Sequence, residues 1–318
     1  MGMIILNEKF GCESCNINDN DGLLYVNECN DGIIGKEFKI KALPQYQTVQ
    51  PGMEYLMEPK PIFDNPNYKG SGKLKDKVAI ITGGDSGIGR AVAVYFAKEG
   101  AKIVIVYYNE HVDAEYTKQY IEALGGECLL ISGDLKNPNF CQMVVRNTVD
   151  KFGKVDILVN NAGVQFQQKR LEDISNEQFD YTMKSNIYSM FYLTKAAIPY
   201  MSKGSIINTT SITTFQGEPE LIDYVTSKGA IVGFTRSLAT NLARKNIRVN
   251  AVAPGVFWTA LQPSCWMPNK IPTLGSDSDM RRAADPYEIA SIYVYLASDD
   301  ASYTTGQVFH INGGQYKG

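Results

Sequence analysis

From Leu74 onward, short apolar runs alternate with longer stretches in which apolar residues recur every three or four positions. The runs are 77–82, 102–107, 127–132, 155–160, 204–209, 247–253 and 307–311. Most are β-branched and uninterrupted, the pattern of strands buried on both faces. Between them, 88–99, 113–124, 140–152, 176–201 and 222–244 carry the helical period. Strand–helix alternation predicts an α/β fold, a doubly wound parallel sheet of about seven strands with helices on both faces. Right-handed crossovers bring every strand's C-terminal end to one edge, where a ligand is expected.

Residues 1–72 follow no such pattern. They hold five of the thirteen prolines (44, 51, 59, 61 and 66) and no sustained helical period. They end in Tyr68-Lys-Gly-Ser-Gly72, a linker-like stretch. The expected organisation is an extended N-terminal arm, 1–72, with little core of its own, and one main domain, 73–318.

Composition removes several function classes. The 31 Lys and Arg against 34 Asp and Glu leave a net charge of −3, which argues against a basic nucleic-acid-binding surface. No apolar run approaches the ~20 residues that span a bilayer, so no membrane partner is expected. With two histidines, His111 and His310, a multi-histidine metal site is excluded. Cys12-Glu-Ser-Cys15 and Cys29 have ligand-like spacing, but the arm offers no histidine or fourth cysteine. Ordinary thiols of a reducing cytoplasm are the expected reading, with a redox pair as the alternative.

The chemistry begins after the first predicted strand, at Thr82-Gly-Gly-Asp-Ser-Gly-Ile-Gly-Arg90. Glycines 83, 87 and 89 between a strand and a helix let backbone N–H groups approach a pyrophosphate at the helix N-terminus. The spacing is Gly-x3-Gly-x-Gly, and the strand before and helix after favour a dinucleotide over an empty turn. Asp134, after the third strand, is placed either to accept from an adenine amino group or to cap a helix. Asn160-Asn161-Ala162-Gly163 ends the fourth strand, where small residues let the backbone pass close to a ribose.

Tyr224 and Lys228 are one helical turn apart and share a face. A free phenol titrates near 10. A neighbouring ammonium favours the phenolate, which would make Tyr224 a usable proton donor and acceptor for an alcohol/carbonyl pair. Ser211, just after the fifth strand, is placed to bond the substrate oxygen. Asn186 lies mid-helix, where asparagine is a mediocre residue; a local kink holding a water for Lys228 would account for it.

In order and spacing, 82–89 (TGGDSGIG), 160–163 (NNAG), Asn186, Ser211, Tyr224, Lys228 and Pro254-Gly255 resemble the short-chain dehydrogenases/reductases. The resemblance covers about 74–318, including Thr305-Gly-Gln307 and Asn312-Gly-Gly314. It implies a Rossmann-type sheet of strand order 3-2-1-4-5-6-7, an NAD(P)-dependent oxidoreductase and a homotetramer with 176–201 and 222–244 at its interfaces. Tyr224 would be the general acid/base, Lys228 the group that lowers its pKa and binds the nicotinamide ribose, Ser211 the orienter of the carbonyl, and Asn186 the holder of the relay water. Thr259 would meet the carboxamide. With Asp85, Ser86, Ile88, Tyr107, Leu135 and Val256, the residues already named complete the expected cofactor set. The arm's Pro44, Gln50-Pro-Gly52 and Glu58-Pro-Lys-Pro61 are similar to the N-terminally extended branch labelled glucose/ribitol-dehydrogenase-like or general-stress oxidoreductase.

The end of strand two usually tells NAD from NADP through an acid that repels a 2′-phosphate. Here it reads Tyr107-Tyr108-Asn109, and the basic residue typical of NADP enzymes is replaced by Ser86. Asp85 adds a nearby negative charge, which tips the reading slightly towards NAD. Residues 256–284 carry Trp258 and Trp266 and read as a substrate lid. Gln165, Phe166, Thr213 and Phe215 are placed to complete the pocket with Ser211 and Trp258. An aromatic, nearly uncharged lid suits a small alcohol, aldehyde or ketone. The rival readings are a dinucleotide-binding redox sensor without turnover and a β-ketoacyl-carrier reductase. The arm is expected to wrap a neighbouring subunit.

Overall fold

The computed structural model describes residues 42–318 in full and, before them, only the backbone of β1 (Cys15–Asn18), β2 (Leu23–Val26) and β3 (Glu37–Lys39). These three pair antiparallel in the order β1-β2-β3, where the sequence suggested only an extended arm. Cys12, Cys29 and the Cys15 side chain lie outside the described residues.

The main sheet is built from β4 (Val78–Thr82), β5 (Lys102–Tyr107), β6 (Cys128–Ser132), β7 (Ile157–Asn160), β8 (Gly204–Thr209), β9 (Ile247–Pro254) and β10 (Val308–Ile311). Its order is β10-β9-β8-β7-β4-β5-β6, every neighbouring pair parallel. The helices between them are α1 (Gly87–Lys98), α2 (His111–Ala123), α3 (Pro138–Phe152), α4 (Asn176–Met183), α5 (Ser189–Ala197), α6 (Thr213–Gln216), α7 (Ile222–Leu242) and α8 (Tyr287–Ala297). Successive strand residues face opposite sides, so Ile81 joins the core under α1 and α8 while Ile80 joins the core under α3, α5 and α7. Strand order reverses between β4 and β7, and the crevice outside their C-terminal ends is the expected ligand position of such sheets.

The predicted helix 176–201 is interrupted. Between α4 and α5 the backbone makes a π-helical turn, Lys184–Tyr188, and Asn186 sits within it, fully buried. The asparagine is the reason for the break: its side chain bonds out of the helix, as described below.

Residues 42–72 pack on their own domain rather than reaching away from it. Tyr68 stacks on Tyr95 of α1 with ring centroids 4.2 Å apart and donates to the Glu99 carboxylate at 2.5 Å. Asp64 pairs with Lys98 at 2.5 Å and accepts from the Tyr120 hydroxyl at 2.7 Å. This part of the arm thus makes its described contacts within its own chain. Among the described residues, no helix is long and apolar enough to cross a membrane.

Candidate active site

A cleft of about 450 Å³ runs along the C-terminal ends of β4 to β9. Its floor is the glycine turn. Gly83 and Gly87 have φ of 63° and 53°, a region that glycine enters without steric cost. Gly83, Asp85, Ser86, Gly87 and Ile88 line the cleft, together with Tyr107, Asp134, Leu135, Asn161, Ala162, Gly163, Pro254, Gly255, Val256 and Thr259. Gly89 does not. A Cβ there would lie 1.8 Å from the Gly83 carbonyl oxygen, so this glycine allows α1 to pack against the turn and has no face towards a ligand.

Thr82 and Asn161 hold the turn to its neighbours. The Thr82 hydroxyl accepts from the backbone N–H of Asn161 at 2.9 Å and of Ala162 at 3.0 Å. The Asn161 amide donates to the Thr82 carbonyl at 3.2 Å. Asn160 ties strand to strand, donating to Asn208 at 2.9 Å and to Thr194 at 3.1 Å. Asp134 is not a helix cap: Asn137 caps α3, accepting from Asn139 N at 2.9 Å. The Asp134 carboxylate instead meets the Lys136 ammonium at 3.0 Å beside the cleft.

Ser211, Tyr224 and Lys228 all face the same cleft. The Lys228 ammonium donates to the Thr209 carbonyl at 2.9 Å and lies 5.5 Å from the Tyr224 ring centroid. Burial pushes the Tyr224 phenol up to about 12, with the Ser211 hydroxyl pulling the other way. Burial also brings Lys228 down to about 8. Desolvation is thus the dominant influence on the phenol, and the Ser211 hydroxyl is the group that opposes it. Asn186 accepts from Val164 N at 2.8 Å and donates to Val164 O and to Ser227 Oγ, both at 2.9 Å. It thus fixes α7 against the loop after β7. A Cβ on Gly163 would lie 3.3 Å from both Asn186 Oδ1 and Lys228 Nζ, so glycine keeps this corner open.

Two further expectations change. Asp85 is 3% exposed, and burial, reinforced by Glu110, raises its carboxyl to about 8. Burial therefore favours its protonated form at neutral pH. Trp258 does not reach the cleft. Its indole donates to the Pro59 carbonyl of the arm at 2.9 Å and packs beside Met57, while Trp266 lines the cleft in its place. Gln165 and Thr213 line it too, but Phe166 and Phe215 do not: Phe166 packs edge-on against the cleft-lining Tyr181, and Phe215 against His310.

The sequence reading missed Glu110, Lys136, Asp223 and the arm's own contribution. Glu110, 2% exposed, accepts from Tyr108 N at 3.1 Å and Asn109 N at 2.9 Å at the end of β5. Asp223 anchors the start of α7, accepting from Thr182 at 2.8 Å and Gln178 at 3.0 Å. Pro51 and Gly52 form part of the cleft wall. Gln50 beside them donates to the Gln165 and Ser264 carbonyls and accepts from Gln165 N at 3.1 Å. The positions of Glu110 and Lys136, just beyond two strand ends, were a signal that could have found them.

The cavity and its donors fit a dinucleotide. It is floored by positive-φ glycines and lined by Gly255, where a Cβ would meet the Asn312 backbone at 2.7 Å, so glycine lets the two segments pack closely.

Comparison with known proteins agrees. The family model described as enoyl-(acyl carrier protein) reductase matches residues 83–315. The chain is 53% identical over 278 residues to general stress protein 39 of Bacillus subtilis (strain 168), covering 87% of this chain and 97% of that protein. It is 46% identical over 278 residues to the chloroplastic NADPH-dependent aldehyde reductase 1 of Arabidopsis thaliana, covering 85% and 96%. Among solved structures, a short chain dehydrogenase from Burkholderia cenocepacia J2315 in complex with NADP superposes with a TM-score of 0.72 at 28% identity, covering 76% of this chain and 99% of that one.

Proposed function

The chain belongs to the short-chain dehydrogenase/reductase family of NAD(P)-dependent oxidoreductases, and from that premise we propose that it interconverts small aldehydes or ketones and their alcohols, with Tyr224 as the acid/base. The observation that carries the proposal is the convergence of Ser211, Tyr224 and Lys228 on the cleft floored by the glycine turn. When bound, a nicotinamide dinucleotide supplies the hydride for reduction and takes it up in oxidation.

Tyr224 gives its phenolic proton to the carbonyl oxygen in reduction and takes it back from the alcohol in oxidation. Ser211 donates to the same oxygen and holds it against Tyr224. Lys228, carried one turn along α7 and braced on Thr209, would hold the ribose hydroxyls of a bound dinucleotide. Asn186 and Asp223 position α7, so that the acid/base set keeps its geometry through the cycle.

The preferred cofactor in this reading is NADP(H). Uncharged Asp85 removes the local argument against a 2′-phosphate, and the Glu110 carboxylate is buried against backbone N–H groups. The Lys136 ammonium lies along the same end of the cleft. The names of the Arabidopsis and Burkholderia relatives point the same way. Residues 73–318 form the catalytic unit, and 42–72 complete its wall. Exposed Tyr188, Phe191 and Tyr200 favour burial of this face in a homotetramer, which light scattering would read.

Titration of the pure protein with NADPH and NADH, followed by nicotinamide fluorescence, tests the cofactor reading: NADPH should bind more tightly. Tyr224→Phe should then keep dinucleotide affinity and lose roughly 10²–10⁴ in turnover of a small aldehyde. A variant within a few-fold of wild type would refute the acid/base assignment, and binding of neither nucleotide would remove the oxidoreductase reading itself.

A further inference from the structure

One carboxylate in the pyrophosphate-binding turn comes from outside the catalytic domain. Glu54, on the arm, is 1% exposed. Its Oε2 accepts from the backbone N–H of Gly87 at 2.6 Å, the first residue of α1. Its Oε1 pairs with the Arg90 guanidinium. Arg90 in turn donates through Nε to the Asp85 carbonyl at 2.8 Å and to Thr117 at 2.7 Å, and through Nη2 to Asp113 at 3.2 Å. Asp113 also accepts from Glu54 N at 2.8 Å, so the backbone carrying the carboxylate is itself held. The face of Arg90 is covered by Phe63 from the arm, 5.3 Å from its centroid, and by Tyr116 from α2 at 5.2 Å.

The consequence lies in the turn. Gly83 and Gly87 at positive φ make the segment costly to order, because glycine loses more backbone freedom than any other residue. Two of its backbone groups, the Asp85 carbonyl and the Gly87 N–H, are held from behind by one polar network. The network's outermost member is the arm's carboxylate. A charge-assisted bond of this kind is stronger than a neutral one, and losing it strands a buried donor and half-pairs a buried guanidinium. The arm is tethered on both sides of Glu54, by Gln50 to Gln165 and Ser264, and by the Pro59 carbonyl to Trp258. Glu54 is therefore held in place independently of the turn that it orders.

We propose that Glu54 is a positioning residue for the cofactor: the arm carboxylate pre-shapes the 83–89 turn, so that the arm is a working part of the dinucleotide site. This rests on the oxidoreductase reading above. Ordering the turn in advance lowers the cost of binding without adding a contact to the ligand.

The test uses the full chain. NADPH and NADH are titrated by fluorescence into wild type, Glu54→Gln, Glu54→Ala and, as a control, Gln45→Ala. Gln45 steadies the arm through the Glu58 backbone and is remote from the turn. Thermal unfolding without nucleotide is recorded for each, and titrations are run well below the lowest midpoint. Glu54→Gln is nearly isosteric and guards against loss of the alanine variant. The expected result is at least a tenfold weaker dinucleotide Kd for the Glu54 variants, with the KM for the carbonyl within twofold and Gln45→Ala unchanged. Glu54 variants that bind within twofold of wild type overturn the proposal. So does a Gln45→Ala variant that weakens binding equally, since that would mark a general loosening of the arm. If wild type binds neither nucleotide, the oxidoreductase reading fails and carries this proposal with it.

Discussion

Gly89→Ala isolates what the third glycine of the turn does. A Cβ at this position would lie 1.8 Å from the Gly83 carbonyl oxygen, 2.6 Å from its carbon and 2.8 Å from the Asn161 amide nitrogen. Ordinary contact begins at 3.4 Å, so one backbone must retreat by about 1.6 Å. The obstructing atoms are backbone, and no rotamer relieves them. Overpacking of this kind costs 1–3 kcal/mol where side chains can give, so ~3 kcal/mol or more is expected here. In a domain of this size that is a fall in Tm of roughly 6–12 °C or more. Gly87→Ala supplies the contrast. Its Cβ would meet the Thr259 side chain, Cγ2 at 3.0 Å and Cβ at 3.1 Å, a shortfall of a few tenths of an ångström, and the left-handed φ adds about 1–2 kcal/mol. Because Gly87 lines the cleft and Gly89 does not, Gly87→Ala should weaken NADPH binding out of proportion to its Tm. Differential scanning fluorimetry with and without NADPH separates the two. A Gly89→Ala protein melting within 2 °C of wild type would refute the packing argument.

Asp85→Asn should change the pH dependence of stability. The folded protein holds the Asp85 proton up to about pH 8 and the unfolded chain releases it near 3.8, so wild-type stability falls as pH rises through that window. The slope lost in Asp85→Asn is at most about 1.4 kcal/mol per pH unit, and parallel denaturation curves at pH 5 and pH 8 for the two proteins would contradict it. Gln50→Ala removes the tie between the lid and the loop after β7, so KM for the carbonyl should rise several-fold with NADPH affinity within twofold; an unchanged KM in steady-state kinetics would show that the lid is held without it. Asn186→Ala leaves the Val164 N–H and carbonyl unpaired and buried, which should cost about 1–3 kcal/mol by urea unfolding and lower turnover through a loosened α7.

The sheet was legible because its inner strands are buried on both faces and even the half-buried edge strands β6 and β10 are apolar, so each of the seven apolar runs announces a strand within a residue or two of its true ends. The glycine turn, Ser211, Tyr224 and Lys228 were legible because their spacing is local or tied to strand ends. The arm was not. Glu54 meets Gly87 across 33 residues and Gln50 meets Gln165 across 115, through side-chain hydrogen bonds that leave no periodic trace. Aromatic residues in the lid announced a pocket, but which indole faces the cleft depended on how the Pro59 carbonyl drew Trp258 away.

The order of apolar and polar residues by itself determined the parallel α/β sheet and the edge at which a ligand is placed, and local motif spacing singled out Ser211, Tyr224 and Lys228 as candidates. Only the tertiary structure decided the state of those groups and which parts of the chain complete the site. Local pattern reports which face of an element is buried, because burial repeats with the element's own period. Charge state and contact partner depend on the whole surroundings. Desolvation, not any neighbour in sequence, raises Asp85 and Tyr224 and lowers Lys228, and folding of the arm onto its own domain brings Glu54 to the turn.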